Sequence, residues 1–542
     1  MDEQNHITRG LAFLRTADPR LSVEHPPLVN SLSAMPLLTL PQITLPFEDP
    51  SWERQPLDVF WYVFAEKTIW ELNRHLDLGQ IFFLARMPIV YLTLGLALVG
   101  WHFAREMWGR LSGTLVFLLL LFDPNILANG RYSTTDIGGT LFGLLATFLL
   151  WRLWRSARWN WRRWIWAALG IGFAFGGKLS TLLLVPIWTL LAILPVYKSA
   201  NRPYLRSIVR RLVQLFTAGI GALMILWVIY GFEWGGFHFL DDRMSFMSDF
   251  AGPMPTYWAG IERIMLLSSG GRPGFLLGQF SNEGFPLFFP VAFVVKTPML
   301  TIVLFLLSFL ILLINKKSRE KEIFLLIPAI IYFGASVISA LNLGYRHLLP
   351  ILPFIYLSIG GLASPPVRVW TWQHFSRNEN GTGRESLAPV VLVSLLVVNL
   401  ILIAFWIHPH YLSYFNIVAG GPENGRNILI DSNIDWGQDL QRLDSWMQKQ
   451  GIEKVKLGWF GTADPAYYEI EFDPLPGFPR QAFNSQWTNP PFSTIMPEPG
   501  IYAISVSSLW ELPLSTKNVY TWFREQEPDY QIGYSILIYE IP

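Results

Sequence analysis

Long apolar runs dominate the hydropathy pattern from residue 85 to residue 407. A membrane-spanning helix needs about 20 mostly apolar residues, and ten runs read as candidate spans: 85–104, 113–127, 137–153, 164–177, 179–196, 213–232, 289–314, 323–341, 348–363 and 389–407. The flanking segments differ. Residues 1–84 are mixed and proline-rich, which predicts short amphipathic helices lying on a membrane surface. Residues 408–542 are more polar and predict a small α/β unit. Its expected strands are 427–431, 454–459, 501–506 and 534–541, and its expected helix is Asp439–Gln450, ended by Gly451. The expected division is 1–84 as a first extracytoplasmic loop, 85–407 as a transmembrane domain and 408–542 as a C-terminal extracytoplasmic domain.

Loop charge orients the spans. The loops 105–112, 154–163, 197–212, 315–322 and 364–388 carry most of the Arg and Lys found between residues 85 and 407, and they alternate with loops poorer in both. The positive-inside rule puts the five basic loops in the cytoplasm. Residues 1–84, 128–136, 233–288, 342–347 and 408–542 then lie outside. The stretch 375–388 reads as a flexible cytoplasmic loop. An outer segment of this length needs a helix to carry it across, and the opening Met-Asp-Glu-Gln-Asn-His has no basic or apolar signal region. A further transmembrane helix is expected before Met1, the alternative being an N-out protein that its first internal span inserts.

Composition agrees with a membrane protein. The chain has 542 residues, 51% hydrophobic and only 15% charged, with a mean hydropathy of +0.33. Several of its 24 tryptophans, among them Trp101, Trp108, Trp151 and Trp161, sit where apolar runs meet charged loops, as an interfacial belt requires. A net charge of +1 gives no field that would draw nucleic acid. The absence of cysteine excludes disulfides and thiolate chemistry. No glycine-rich phosphate loop opens a helix, which argues against a cytoplasmic nucleotide site.

The candidate chemistry lies in the outer loops. Asp2 and Glu3 are followed by His6 and Arg9, a spacing that puts Asp2, His6 and Arg9 on one helix face. A carboxylate there could accept a proton from a hydroxyl, although taken alone these residues fit a solvated helix start better. His25 precedes two prolines that fix its direction. Arg131, Tyr132 and Asp136 stand at a membrane boundary, either as functional groups or as an ion pair between helices. Lys178, Lys296 and the Arg346–His347 pair fall on the same outer face, against the positive-inside bias. Each alone could snorkel to headgroups, but together they suit an anionic phosphate.

These motifs, in this order, resemble the phospholipid-carrier-dependent glycosyltransferases of the GT-C superfamily, in the branch of the protein O-mannosyltransferases and its bacterial members. The resemblance rests on Asp2-Glu3 with His6, HPPL at 25–28, RYSTTD at 131–136, GGKLS at 176–180, 274–298, GYRHLLP at 344–350, DSNIDWGQDL at 431–440 and GTADPAYY at 461–468. It covers nearly the whole chain. It implies a GT-C-like polytopic α-helical membrane fold with its active site on the extracytoplasmic face of the plasma membrane. The implied reaction is inverting transfer of a sugar, a hexose such as mannose, from a polyprenyl-phosphate donor to a protein or glycan acceptor.

The resemblance makes Asp2 the general base and Glu3 its neighbour in positioning substrate. Arg131, Lys178, Lys296, Arg346 and His347 become candidates for the lipid phosphate, with His6, His25, Tyr132 and Asp136 completing the substrate site. No metal ligand is assigned and no cofactor is required, although the acidic groups could hold a divalent cation. A secondary transporter and a non-catalytic membrane scaffold are the rival readings. A transporter predicts internal repeats and charges at the bilayer midplane; the chain shows no repeat, and its notable charges flank the apolar runs.

Overall fold

A computed structural model of the chain describes residues 2–53, 60–156, 159–194, 204–239, 244–270, 273–375, 384–476, 492–493, 496–512 and 517–542. It shows a multi-pass α-helical membrane protein with a small C-terminal sheet unit. Helices long and apolar enough to cross a membrane are Leu78–Trp108, Asp136–Trp154, Tyr204–Ile229, Arg319–Ile338 and Ala388–Ile407. Two bent pairs, Phe288–Lys296 with Met299–Ile314 and Tyr345–Leu362 with Pro365–His374, bring the number to seven if each is one span.

Each apolar run found in the sequence is helical over most of its described residues, but ten full-length spans do not result. The run at 113–127 forms the 13-residue helix Arg110–Phe122, which stops at Asp123-Pro124. The run at 164–177 becomes the 17-residue helix Trp161–Gly177, and the run at 179–196 a short apolar helix over Leu179–Ile193. The run at 289–314 is no straight span. It turns by 107° between Lys296 and Met299, where Pro298 supplies no backbone N–H and Thr297 before it is extended.

The N-terminal segment packs on the end of this bundle. Asp2 stands at the N-cap of the helix Glu3–Thr16, whose residues Gln4 to Ala12 are all buried. Helix Pro27–Ala34 crosses it so closely that a Cβ at Gly10 would stand 2.0 Å from the Asn30 carbonyl oxygen. Ile7, Leu11, Trp70 and Ile81 share one apolar cluster, and Trp70 Nε1 donates to Gln4 Oε1 at 2.7 Å. These contacts fix Asp2 and Glu3 at the mouth of the bundle.

Strands β1 (Trp234–Gly236) and β2 (Ala251–Pro253) form one antiparallel pair, and β3 (Gly274–Leu276) and β4 (Gln279–Ser281) another. The C-terminal sheet comprises β5 (Lys454–Gly458), β6 (Glu471–Pro474), β7 (Gly500–Ser505), β8 (Tyr530–Ile532) and β9 (Ile536–Ile541). Its order is β6-β5-β7-β9-β8. β5 pairs parallel with β6 and β7, while β9 pairs antiparallel with β7 and β8. Helix Leu440–Gln450 covers the sheet through Leu440, Leu443 and Met447, and Gly451 ends it with a positive φ of 67°.

The strand expected at 427–431 is absent. Leu429 and Ile430 are instead buried loop residues in the main core, and Asp431–Asn433 is a 3-10 turn. Most of the expected flexible loop at 375–388, namely 376–383, lies outside the described residues.

Candidate active site

Two cavities meet at Asp2, which lines both. One, of about 460 Å³, combines Lys178, Arg346, His347, His6, His25 and Asp136 with apolar walls that include Leu183, Ile264, Leu267 and Ala335. The other, of about 550 Å³, lies between the bundle and the C-terminal unit. It is lined by Glu3, Arg86, Arg131, Tyr132, Trp436, Gln438, Gln441 and Arg442, among others.

Helix termini deliver the charged groups to this junction. Lys178 caps the C-terminus of Trp161–Gly177 and Asp136 opens Asp136–Trp154. Their side chains pair at 2.5 Å, with 14% and 6% of their surface exposed. Arg346 lies in the turn Tyr345–Ile351 that leads into the next helix. It reaches Asp2 at 3.4 Å and stacks on Trp436, 4.6 Å from the ring centroid. Gly344 permits that turn: its φ is +131°, and a Cβ there would lie 2.5 Å from Ser432 Oγ.

Glu3 is held from two directions. Arg86 grips it with two hydrogen bonds of 2.8 and 2.5 Å, and the Ser133 backbone N–H donates to it at 2.9 Å. Burial pushes the Asp2 and Glu3 carboxyls up, but Arg346 for Asp2 and Arg86 for Glu3 outweigh it and keep both below their ordinary values. The imidazoles behave oppositely. Burial and the neighbouring Arg9 push His6 down to about 4, and burial also carries His25 well below its usual value. Both are neutral at pH 7. Their rings meet edge to face at 4.7 Å. His6 Nδ1 contacts Asn30 Oδ1 at 2.9 Å, and His25 Nδ1 contacts Thr135 Oγ1 at 3.2 Å.

The sequence-derived candidates thus divide into groups. Asp2, His6, His25, Asp136, Lys178, Arg346 and His347 share the partly apolar cavity; Asp2, Glu3, Arg131 and Tyr132 share the polar one. Arg131 donates to Pro409 O at 2.7 Å and to the Tyr132 hydroxyl at 2.9 Å. Lys296 is the exception. Its ammonium is buried, donates to the carbonyls of Leu412 and Asn433, stacks on Phe415 and lines neither cavity. It ties the broken span to the C-terminal unit. The expectation that it faces the other cations is corrected.

Two groups in the polar cavity were missed. Arg86 is the first charge in the apolar run that begins at residue 85, and this isolation was the available signal. Trp436 lies inside a carboxylate-rich motif, where it reads as a turn residue until the fold brings it to Arg346. Among the described residues, no group of three or more His, Asp or Glu is placed to hold a metal ion.

No family model matches the chain, and no curated protein matches it either. Among solved structures it is similar to ArnT from Cupriavidus metallidurans in the apo state, with 12% identity and a TM-score of 0.43 over 99% of this chain and 92% of that one. The same protein bound to undecaprenyl phosphate aligns with 11% identity and a TM-score of 0.42, with the same coverage. The archaeal oligosaccharyltransferase AglB from Archaeoglobus fulgidus, in complex with an inhibitory peptide and a dolichol-phosphate, aligns with 12% identity and a TM-score of 0.40. That alignment covers 91% of this chain and 57% of AglB. The assignment of function rests on the geometry of the two cavities.

Proposed function

We propose that the chain is an inverting glycosyltransferase that moves a hexose from a polyprenyl-phosphate donor to an acceptor hydroxyl at the extracytoplasmic face of the plasma membrane. The observation that carries this reading is the position of Asp2 between a cationic, partly apolar cavity and a polar one. A lipid-linked anion needs cations beside an apolar wall, and the first cavity has both. An acceptor carrying hydroxyls or a peptide needs hydrogen-bonding groups and aromatic surfaces, and the second supplies Gln438, Gln441, Tyr132 and Trp436.

In this reading, the donor phosphate sits against Lys178, Arg346 and His347. The acceptor oxygen attacks the anomeric carbon from the face opposite the phosphate. The bond from that carbon to the phosphate oxygen breaks, and the acceptor proton passes to the Asp2 carboxylate. Lys178 and Arg346 stabilise the charge that grows on the departing phosphate. Arg346 holds Asp2 ionised and ready to accept the proton. Glu3, fixed by Arg86, positions the acceptor from the other side, with Arg131 and Tyr132. The three-part division at residues 84 and 407 then assigns the base to the first outer segment, the donor site to the membrane domain and half of the acceptor site to the C-terminal unit.

A transporter needs its charged site near the bilayer midplane. Here Asp2, Asp136, Lys178 and Arg346 stand at or beside helix termini. The test is reconstitution with a panel of polyprenyl-phosphate sugars and a membrane extract as acceptor. Acceptor-dependent release of free polyprenyl phosphate from one donor supports the transferase. Folded protein that consumes none of them argues for transport or scaffolding.

A further inference from the structure

Every cation but one around the partly apolar cavity has a carboxylate partner among the described residues. Lys178 pairs with Asp136, Arg346 with Asp2, and Arg263 with the lining residue Glu24. The exception is Arg9. It lines the cavity, is 3% exposed and forms no ion pair, and its Nε and Nη1 donors find no hydrogen-bond partner. Its guanidinium lies over the Trp61 ring, 4.8 Å from the centroid. Burial pushes the Arg9 guanidinium down and the nearby carboxylates of Glu24 and Asp2 answer it only in part, without a direct contact, so its two unbonded donors remain open to an anionic group.

Position separates Arg9 from the groups assigned to the phosphate. It lies seven residues beyond Asp2 on the same helix, a rise of about 10 Å, with His6 between them. That interval is one a pyranose ring can occupy. Asn5, on the same cavity wall, is also buried and has an unpartnered Oδ1 that could accept from a sugar hydroxyl. This part of the lining thus offers two unbonded guanidinium donors and a free carbonyl oxygen; the amide oxygen suits any sugar hydroxyl, whereas the guanidinium suits an acidic sugar better than a neutral one.

We infer that Arg9 binds an acidic group on the transferred sugar, such as the carboxylate of a hexuronate, and so selects an acidic glycosyl donor over a neutral hexose such as mannose. This inference rests on the proposed donor cavity. Arg9 supplies a forked pair of donors that matches a carboxylate. Asn5 accepts from a ring hydroxyl, and Lys178 and Arg346 hold the phosphate at the other end.

The experiment measures binding of farnesyl-phosphate glucuronate and farnesyl-phosphate glucose to the detergent-solubilised full chain and to Arg9→Met, Arg9→Lys and Arg346→Ala. The expected result is a preference of about tenfold or more for the glucuronate. Arg9→Met abolishes it without weakening glucose-donor binding, and Arg9→Lys restores part of it. Thermal unfolding of the free Arg9→Met chain stays level or rises, because a buried charge with no ion pair and two unbonded donors has been removed; a marked fall assigns Arg9 a structural role and overturns the inference. Equal binding of the two donors by the unmodified chain, with Arg346→Ala weakening both, overturns the inference and leaves the transferase reading standing. Arg9→Met weakening both donors alike assigns Arg9 to the phosphate and also overturns it. Failure of both donors to bind contradicts the inference and the donor cavity together.

Discussion

Arg346 and Asp2, separated by 344 positions in the chain, meet at 3.4 Å where the two cavities join. The pairing links the proposed base to a proposed phosphate ligand and keeps the Asp2 carboxyl below its ordinary value. Arg346→Ala is expected to weaken donor binding by about 1–3 kcal/mol, the range for a lost charged hydrogen bond. Titration of a polyprenyl-phosphate donor against the folded variant checks this. Unchanged donor affinity would move the phosphate elsewhere.

Lys178 and Asp136 form a second ion pair, buried on both sides. Lys178→Met strands a buried carboxylate and should destabilise the fold by about 3–5 kcal/mol. Adding Asp136→Asn should recover most of that stability, because no lone charge remains. If Lys178 also binds the phosphate, the double variant stays impaired in donor binding. Thermal unfolding and donor titration on the unmodified protein, Lys178→Met and the double variant separate the two roles; full recovery of both would make the pair purely structural.

The spans were legible because membrane burial imposes a long apolar run, and each such run is helical over most of its described residues. Their lengths were less legible. Pro124 and Pro298 break helices inside runs that hydropathy reads as continuous. The segment 427–431 looked like a strand because Ile428, Leu429 and Ile430 are bulky and apolar, yet they enter the bundle core as a loop, where the Ile428 carbonyl accepts from Leu277 N. Sequence placed Asp2, Lys178 and Arg346 on one face through loop charge and the family resemblance. It grouped Lys296 with them on the same evidence, because hydropathy cannot show which way a side chain turns at a proline break. Arg9, noted only as a neighbour of Asp2, became informative once its lack of a partner was visible.

Glu3 and Arg86 make a two-pronged contact that an ammonium cannot reproduce. Arg86→Lys should therefore leave donor affinity unchanged while lowering acceptor use by about tenfold, the loss of roughly one charged hydrogen bond. Steady-state kinetics with donor and acceptor varied separately gives the answer. An effect confined to the donor would place Glu3 on the other side of the reaction.

Asp435 provides a pH test away from the reacting groups. Burial, and to a smaller degree the nearby Asp439, push its carboxyl up to about 7, although the Ser507 and Gly437 backbone N–H groups donate to it. The fold therefore binds a proton that the unfolded chain has lost, so this group's contribution is full below pH 4 and is lost as pH rises toward 7. Replacing it with Asn should remove this loss of stability between about pH 4 and about 7. Thermal unfolding of both proteins across that range is the check. An identical pH slope in the two would mean that Asp435 does not titrate there.

The central claim is that Asp2 takes the acceptor proton. The most direct measurement is single-turnover release of polyprenyl phosphate from a bound donor, in the unmodified protein and in Asp2→Asn, after donor binding has been shown for both. The account predicts that Asp2→Asn binds donor and stays folded but loses turnover by at least about 10²-fold, the scale of a lost general base. Turnover at the unmodified rate would contradict it and remove Asp2 from the chemistry.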